Sequence, residues 1–84
     1  MINDAIKFKN GKYVCTIHFH PSMILVPVSA LDNFLFLKSY IESIETDLCR
    51  DYENNYYSLR LAGKSLTNIL RTRFEILNYF IKAL

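Results

Sequence analysis

Apolar and polar positions alternate through residues 6 to 20, and the pair Asn10-Gly11 interrupts the alternation. Asn-Gly is the preferred pair for a two-residue type I′ turn, because both central residues need positive φ. A hairpin built on this turn pairs Lys9 with Lys12 and sorts the side chains onto two faces. One face holds Ile6, Phe8, Tyr13, Cys15, Ile17 and Phe19. The other holds Lys7, Lys9, Lys12, Val14, Thr16, His18 and His20.

After the hairpin, the pattern changes to a helical period. Pro21-Ser22 predicts a turn, and residues 23 to 26 are predicted to return as a short third strand. Ser29 lies three residues ahead of Asp32, a spacing typical of a helix N-terminus. Apolar residues then recur at spacings of three and four, which predicts a helix of about twenty residues ending near the DYENN stretch. Those apolar positions are Phe34, Leu37, Ile41, Ile44 and Leu48.

A second amphipathic helix is predicted from Ser65 to the C-terminus, where apolar residues again recur at helical spacing. Residues 56 to 64, YYSLRLAGK, fit either of two structures. They extend the last helix backwards through Leu59 and Gly63, or they form a strand that ends at Gly63. We favour the helix, because one glycine within a helix costs only about 1 kcal/mol.

Together these elements predict a single α+β domain that spans all 84 residues. An N-terminal β-hairpin or three-stranded antiparallel meander, residues 1 to 28, precedes two antiparallel amphipathic α-helices, residues 29 to 84, that cover one face of the sheet. The first predicted helix is acidic and the second basic, as expected for a pair that matches charge. Folding the two helices together leaves three basic residues without an acidic neighbour: Arg71, Arg73 and Lys82.

Composition bears on the expected function. Of the 84 residues, 51% are hydrophobic and 14% are aromatic, which is more apolar material than a domain of this size hides on its own. Such an excess is often buried in a partner or in a second copy of the chain. The last helix is apolar around most of its circumference, and residues 23 to 26 are apolar on both faces. An interface with a protein partner or in a homo-oligomer is therefore predicted at Phe74, Tyr79, Phe80, Ile81, Leu84, Met23 and Leu25.

Basic side chains support an alternative function, a regulator that binds nucleic acid through the polar face of the hairpin and the last helix. The formal net charge is only +2, and no helix-turn-helix, RNP or zinc-finger motif is present. Lysines on a strand edge also serve to block aggregation. The candidate contacts are Lys7, Lys9, Lys12, His18, His20, Arg71 and Arg73.

Three metal-capable residues, Cys15, His18 and His20, lie close together in the sequence. A zinc site needs three or four ligands that converge on one point. Strand parity sends Cys15 to the face opposite both histidines, so the three side chains do not converge without a bulge. We therefore predict no metal site and no cofactor, and we expect these residues to be ordinary strand positions.

Catalytic motifs are also weak. LAGKSL, residues 61 to 66, resembles the tail of a phosphate-binding loop, but the full motif needs a glycine at the position of Ser58 and a larger nucleotide-binding domain. There is no G-x-S-x-G elbow, and a thin domain has little depth in which to exclude water from a site. We expect a non-enzymatic regulatory protein with no small-molecule substrate.

Two cysteines, Cys15 and Cys49, are too few for a disulfide-stapled scaffold. The N-terminal residues lack the apolar stretch of a signal peptide, and no apolar run approaches the roughly 18 residues that cross a bilayer. A reduced, cytoplasmic protein with no transmembrane segment is the simplest interpretation. Cys49, beside Leu48 on the first predicted helix, is expected to be a small core residue.

Overall fold

Two ββα units follow one another along the chain. The computed structural model describes residues 6–51, 53 and 56–81. Its elements are β1 (Ile6–Lys9), β2 (Lys12–Phe19), a short 3-10 turn (Pro21–Met23), α1 (Val28–Glu42), β3 (Glu45–Asp51), β4 (Tyr56–Gly63) and α2 (Leu66–Tyr79). The α+β class is confirmed, but the order of its elements differs from the predicted one.

The four strands form one antiparallel sheet in the order β1-β2-β4-β3, so the two hairpins meet along β2 and β4. α1 packs over β3, and α2 packs over β4 and β2, which places both helices on the same face of the sheet. The core between the layers is apolar, with Ile17, Leu59 and Ile76 fully buried. β1 lies beyond the main helix contacts, and its Phe8 side chain is 66% exposed.

The N-terminal hairpin has the predicted register. Lys9 pairs with Lys12 and Ile6 pairs with Cys15. Asn10 and Gly11 both have positive φ, 53° and 78°, as a type I′ turn requires. Cys15 is fully buried, which confirms that the predicted apolar face of β2 points towards the core.

The predicted third strand at residues 23 to 26 is wrong. Pro21 opens a 3-10 turn, and the Nδ1 atom of His20 accepts a hydrogen bond from the Ser22 backbone N–H. The following residues then reach the C-terminal end of α2 instead of the sheet. The Leu25 N–H donates to the Phe80 carbonyl over 2.7 Å, and Ile24 forms an isolated bridge with Ile81.

The predicted first helix is too long. α1 begins after Pro27, and Ser29 lies inside its first turn and does not cap it. The helix ends at Glu42 because Ser43 adopts a left-handed conformation with φ 57°. The chain then enters β3, so Leu48 and Cys49 lie on a strand, and Cys49 is exposed instead of buried in the core.

Residues 56 to 63 form the strand β4, which ends at Gly63. The prediction that these residues extend the last helix is therefore wrong. β4 is a central strand whose backbone pairs with β2 on one side and β3 on the other. Gly63 ends β4 against the helix layer, where a Cβ atom would lie at ordinary contact distances, 3.4 Å from Ile69 Cδ1 and 3.6 Å from Ile44 Cγ1.

Two serines near helix starts give a matched test of capping. The Ser65 hydroxyl accepts a hydrogen bond from the Asn68 N–H over 3.2 Å, whereas Ser29 makes no cap. We expect Ser65→Ala to lower the free energy of unfolding by about 1 kcal/mol and Ser29→Ala to change it by only a few tenths. Urea denaturation measures both. Equal effects of the two changes would contradict the assigned helix start of α2.

Candidate protein-interaction surface

α1 exposes a continuous line of large apolar side chains. Phe36 is 71% exposed, Leu37 57%, Tyr40 84% and Ile41 72%. The spacing of one, three and one residues places all four on one side of the helix. We call this set the outer stripe of α1.

The opposite side of α1 faces the core. Leu31 and Leu35 are buried there, and Phe34 is half-buried against the core. Sequence reasoning placed Leu37 and Ile41 in the buried stripe, and the structure corrects that placement. The missed signal is the run of four consecutive apolar residues, 34 to 37, because a helix cannot turn four successive side chains towards one core.

α2 also exposes an apolar line on its surface. Leu66, Leu70 and Phe74, four residues apart, are 39%, 45% and 63% exposed. Contacts with α1 come from the other flank of α2, through Arg71 and Glu75. The stripe of α2, defined by these three apolar residues, therefore lies on the flank that faces away from α1.

The structure separates the predicted interface residues into two groups. Phe74, Tyr79 and Leu25 are exposed. The other described members contact the core. Ile81 is 3% exposed, and the Phe80 ring packs at a tilt against Phe34 with ring centroids 4.7 Å apart. Met23 is half-buried against the core, and Leu84 lies outside the described residues.

An ionic network holds the two helices together in antiparallel orientation. The Glu42 side chain, 10% exposed, accepts hydrogen bonds from Lys38 Nζ at 2.9 Å and from Thr72 Oγ1 at 3.2 Å, and it lies 3.0 Å from Arg71 Nη2. Lys38 Nζ also lies 2.8 Å from Glu75 Oε2. Arg71 is therefore paired, contrary to the prediction that it would lack an acidic neighbour.

These contacts shift the pKa values of the network. Burial alone would raise the pKa of the Glu42 carboxyl, but the hydrogen bonds and charges of Lys38 and Arg71 outweigh it and lower the pKa. The hydrogen bond to Glu75, with that to Glu42, raises the pKa of Lys38. Glu42 and Lys38 are therefore both charged at neutral pH, and they fix the rotation of α1 about its own axis.

The outer face of the sheet, opposite the helices, carries charges of both signs. Lys7 and Lys9 are exposed on β1, at one edge. Glu45 and Asp47 are exposed on β3, at the other edge, and Lys12 forms an ion pair with Glu45 across the intervening strand. The hydrogen bond to Lys12 lowers the pKa of Glu45. The face is therefore mixed in charge.

The remaining predicted nucleic-acid contacts lie in different places. His18 is on the outer face, where its Nδ1 atom lies 2.9 Å from Ser58 Oγ, and the His20 ring packs edge-on against Tyr56. Arg71 and Arg73 lie on α2, on the helix-covered side of the sheet. The hairpin residues are therefore spread along the length of the hairpin, and the two arginines lie on the other side of the sheet.

Metal-capable side chains do not converge in the described structure. Cys15 faces the core while His18 faces solvent. Among residues 6–51, 53 and 56–81, no group of three or more His, Cys, Asp or Glu side chains is placed to hold a metal ion. Cys49, on the outer face of β3, has its Sγ atom 3.8 Å from Asp47 Oδ2.

The segment that resembles a phosphate-binding loop joins β4 to α2. Residues 58 to 62 pair with strands on both sides, so their backbone N–H groups belong to the sheet and do not form an anion cradle. An open cleft of about 530 Å³ lies beside this connection. Lys12 and Lys64 line the cleft together with Glu42 and Glu45, so charges of both signs face it.

Comparison with known proteins adds no family. No protein-family model matches the chain, and neither the curated proteins nor the solved structures give a match. Within the described residues, no helix is long and apolar enough to cross a membrane.

Proposed function

We propose that this chain is a small non-enzymatic interaction and regulatory protein that self-associates and acts by binding and occluding a partner macromolecule. One observation carries the proposal. The helix layer exposes large apolar side chains on both of its outer flanks, in the outer stripe of α1 and the stripe of α2. Soluble monomers rarely leave contiguous apolar surface of this kind uncovered, and it marks an interaction site.

The polar chemistry of the described residues supports a non-enzymatic role. Glu42, the least exposed carboxylate of the inter-helix network, is occupied by Lys38, Arg71 and Thr72. His18 and Ser58 are in contact on an open sheet face, where water is not excluded. Binding to a partner needs neither Glu42 nor the His18–Ser58 pair. The two apolar stripes are exposed and therefore accessible to a partner.

Binding of nucleic acid is the alternative, and it has less support. Lys7 and Lys9 are exposed, but Glu45 and Asp47 share their face of the sheet. Arg71 already contacts Glu42 on the other side of the molecule. A surface with charges of both signs attracts a polyanion less strongly than a uniformly basic surface does.

Sedimentation equilibrium over a range of protein concentrations tests self-association. We expect a mass above the 9.9 kDa of one chain. A monodisperse monomer at all concentrations would remove the main support for the proposal. In the same preparation, retention on duplex DNA that falls steeply with salt would favour the nucleic-acid alternative instead.

A further inference from the structure

We propose that the outer stripe of α1 is a two-fold symmetric interface with a second copy of this chain. The inference rests on the proposed function and makes its self-association specific. It assigns contact between copies to Phe36, Leu37, Tyr40 and Ile41, none of which was among the residues that the sequence predicted for an interface. It leaves the stripe of α2 for a different partner.

Rotation of α1 cannot bury this stripe within one chain. Lys38 and Glu42, on the other side of the helix, are held by Glu75 and Arg71 of α2. Turning the outer stripe inwards would break these ion pairs and would expose Leu35, which is now 3% exposed. Within the described residues, the stripe is therefore left for another chain to cover.

The area of the stripe matches what a dimer needs. Two aromatic and two aliphatic side chains at these exposures present on the order of 600 Å² per copy, so complete burial of two paired stripes removes about 1,200 Å² from solvent. This total is at the lower end of the range for stable protein interfaces. Rim contacts from neighbouring α1 residues such as Asn33, which is also exposed, add to it.

The charge of the stripe is compatible with pairing between two copies. A two-fold axis brings each surface against itself, so a charged stripe would meet like charge. The outer stripe of α1 contains no charged residue. Of the exposed positions that flank it, Ser29, Ala30 and Asn33 are uncharged, and Asp32, four residues before Phe36, lies at its edge. Self-pairing therefore brings apolar side chains together without burying like charges.

A single charge introduced on the stripe tests the assignment. Tyr40→Glu should reduce the mass measured by sedimentation equilibrium from two chains to one while leaving the far-UV circular dichroism spectrum unchanged. Phe8→Glu is the matched control, because Phe8 is 66% exposed on β1, outside both stripes, and its replacement should leave the dimer intact. If the wild-type chain is dimeric and Tyr40→Glu has no effect, self-association stands and the assignment to α1 fails. If the wild-type chain is monomeric, both the proposed self-association and its assignment to α1 fail.

Cross-linking tests the same geometry without introducing a charge into the interface. In a Cys49→Ser background, which leaves only the buried Cys15, Leu37→Cys should react with a short bismaleimide to give a covalent dimer. Leu37 lies within a stripe that spans about one and a half turns, so two-fold pairing through the stripe brings its two copies close. Leu70→Cys should give no dimer band. Absence of the band for Leu37→Cys, or equal bands for both variants, would overturn the proposal.

Discussion

Leu59→Ala should lower the free energy of unfolding by about 3 kcal/mol, the typical cost of a cavity in a packed core. Leu59 is fully buried on the central strand β4, where it pairs with Ile17 of β2 and Leu48 of β3. A domain of this size has a total stability of only about 4–12 kcal/mol. Urea denaturation, monitored by circular dichroism at one fixed protein concentration, measures the difference in the free energy of unfolding between wild type and Leu59→Ala.

Leu70→Ala is the matched control for that change. Leu70 is 45% exposed on α2, so the same truncation should cost less than about 1 kcal/mol. If Leu59→Ala does not fold, Ile17→Val removes one methylene from the same layer and should cost about 1 kcal/mol. Similar losses for Leu59→Ala and Leu70→Ala would contradict the central position of β4.

Glu42→Ala should cost about 2–3 kcal/mol at pH 7, because it removes the acceptor for the buried Thr72 hydroxyl and for two cations at once. The pH dependence identifies the cause. The pKa of Glu42 is lowered in the folded protein, so its contribution is present above the unfolded pKa and is lost as pH falls through the folded pKa. Wild-type stability should therefore decline in acid.

Glu42→Gln separates charge from packing in this prediction. It should be less stable than wild type at pH 7, and the difference should shrink as pH falls through the lowered pKa of Glu42, where the wild-type carboxyl also becomes protonated. Asp32→Asn, at an exposed carboxylate of the same helix, should change stability by less than about 1 kcal/mol. Urea denaturation at several pH values measures these effects. A constant gap between Glu42→Gln and wild type across the pH range would show that the charge of Glu42 does not stabilise the fold.

The N-terminal hairpin could be predicted from sequence because its information is local. Asn10-Gly11 selects one turn type, and the turn sets the register of every pair that follows. The N-cap at Ser65 is also a local signal, since one hydroxyl bonds the N–H group three residues ahead. Both features depend on residues close together in the chain.

β3 and β4 could not be assigned in the same way. In β3, the spacing from Ile44 to Leu48 fits a helix as well as a strand, and the strand is selected by pairing with β4. Ser43 ends α1 in a left-handed conformation that few non-glycine residues adopt, so the sequence carries no strong stop signal there. Tertiary pairing overrode local preference in both strands.

The sequence predicted that the domain exposes an apolar surface, but it did not predict that α1 forms part of that surface. Composition indicated more apolar surface than the domain would hide, and the helices do expose it. Placing it required the rotation of α1, which depends on ion pairs from Lys38 and Glu42 to a helix thirty positions further along. No periodicity within α1 distinguishes its two apolar sides.

The strand order β1-β2-β4-β3 also determines how the chain reaches its native state. Each hairpin closes over a few residues, but the β2–β4 contact joins residues about 40 to 50 positions apart. Such distant contacts raise the contact order, and the entropy of closing the intervening chain must be overcome before they form. Because α1 packs over β3 and α2 packs over both β4 and β2, neither ββα unit is complete by itself. We therefore expect folding to be limited by the pairing of β2 with β4 at the centre of the sheet.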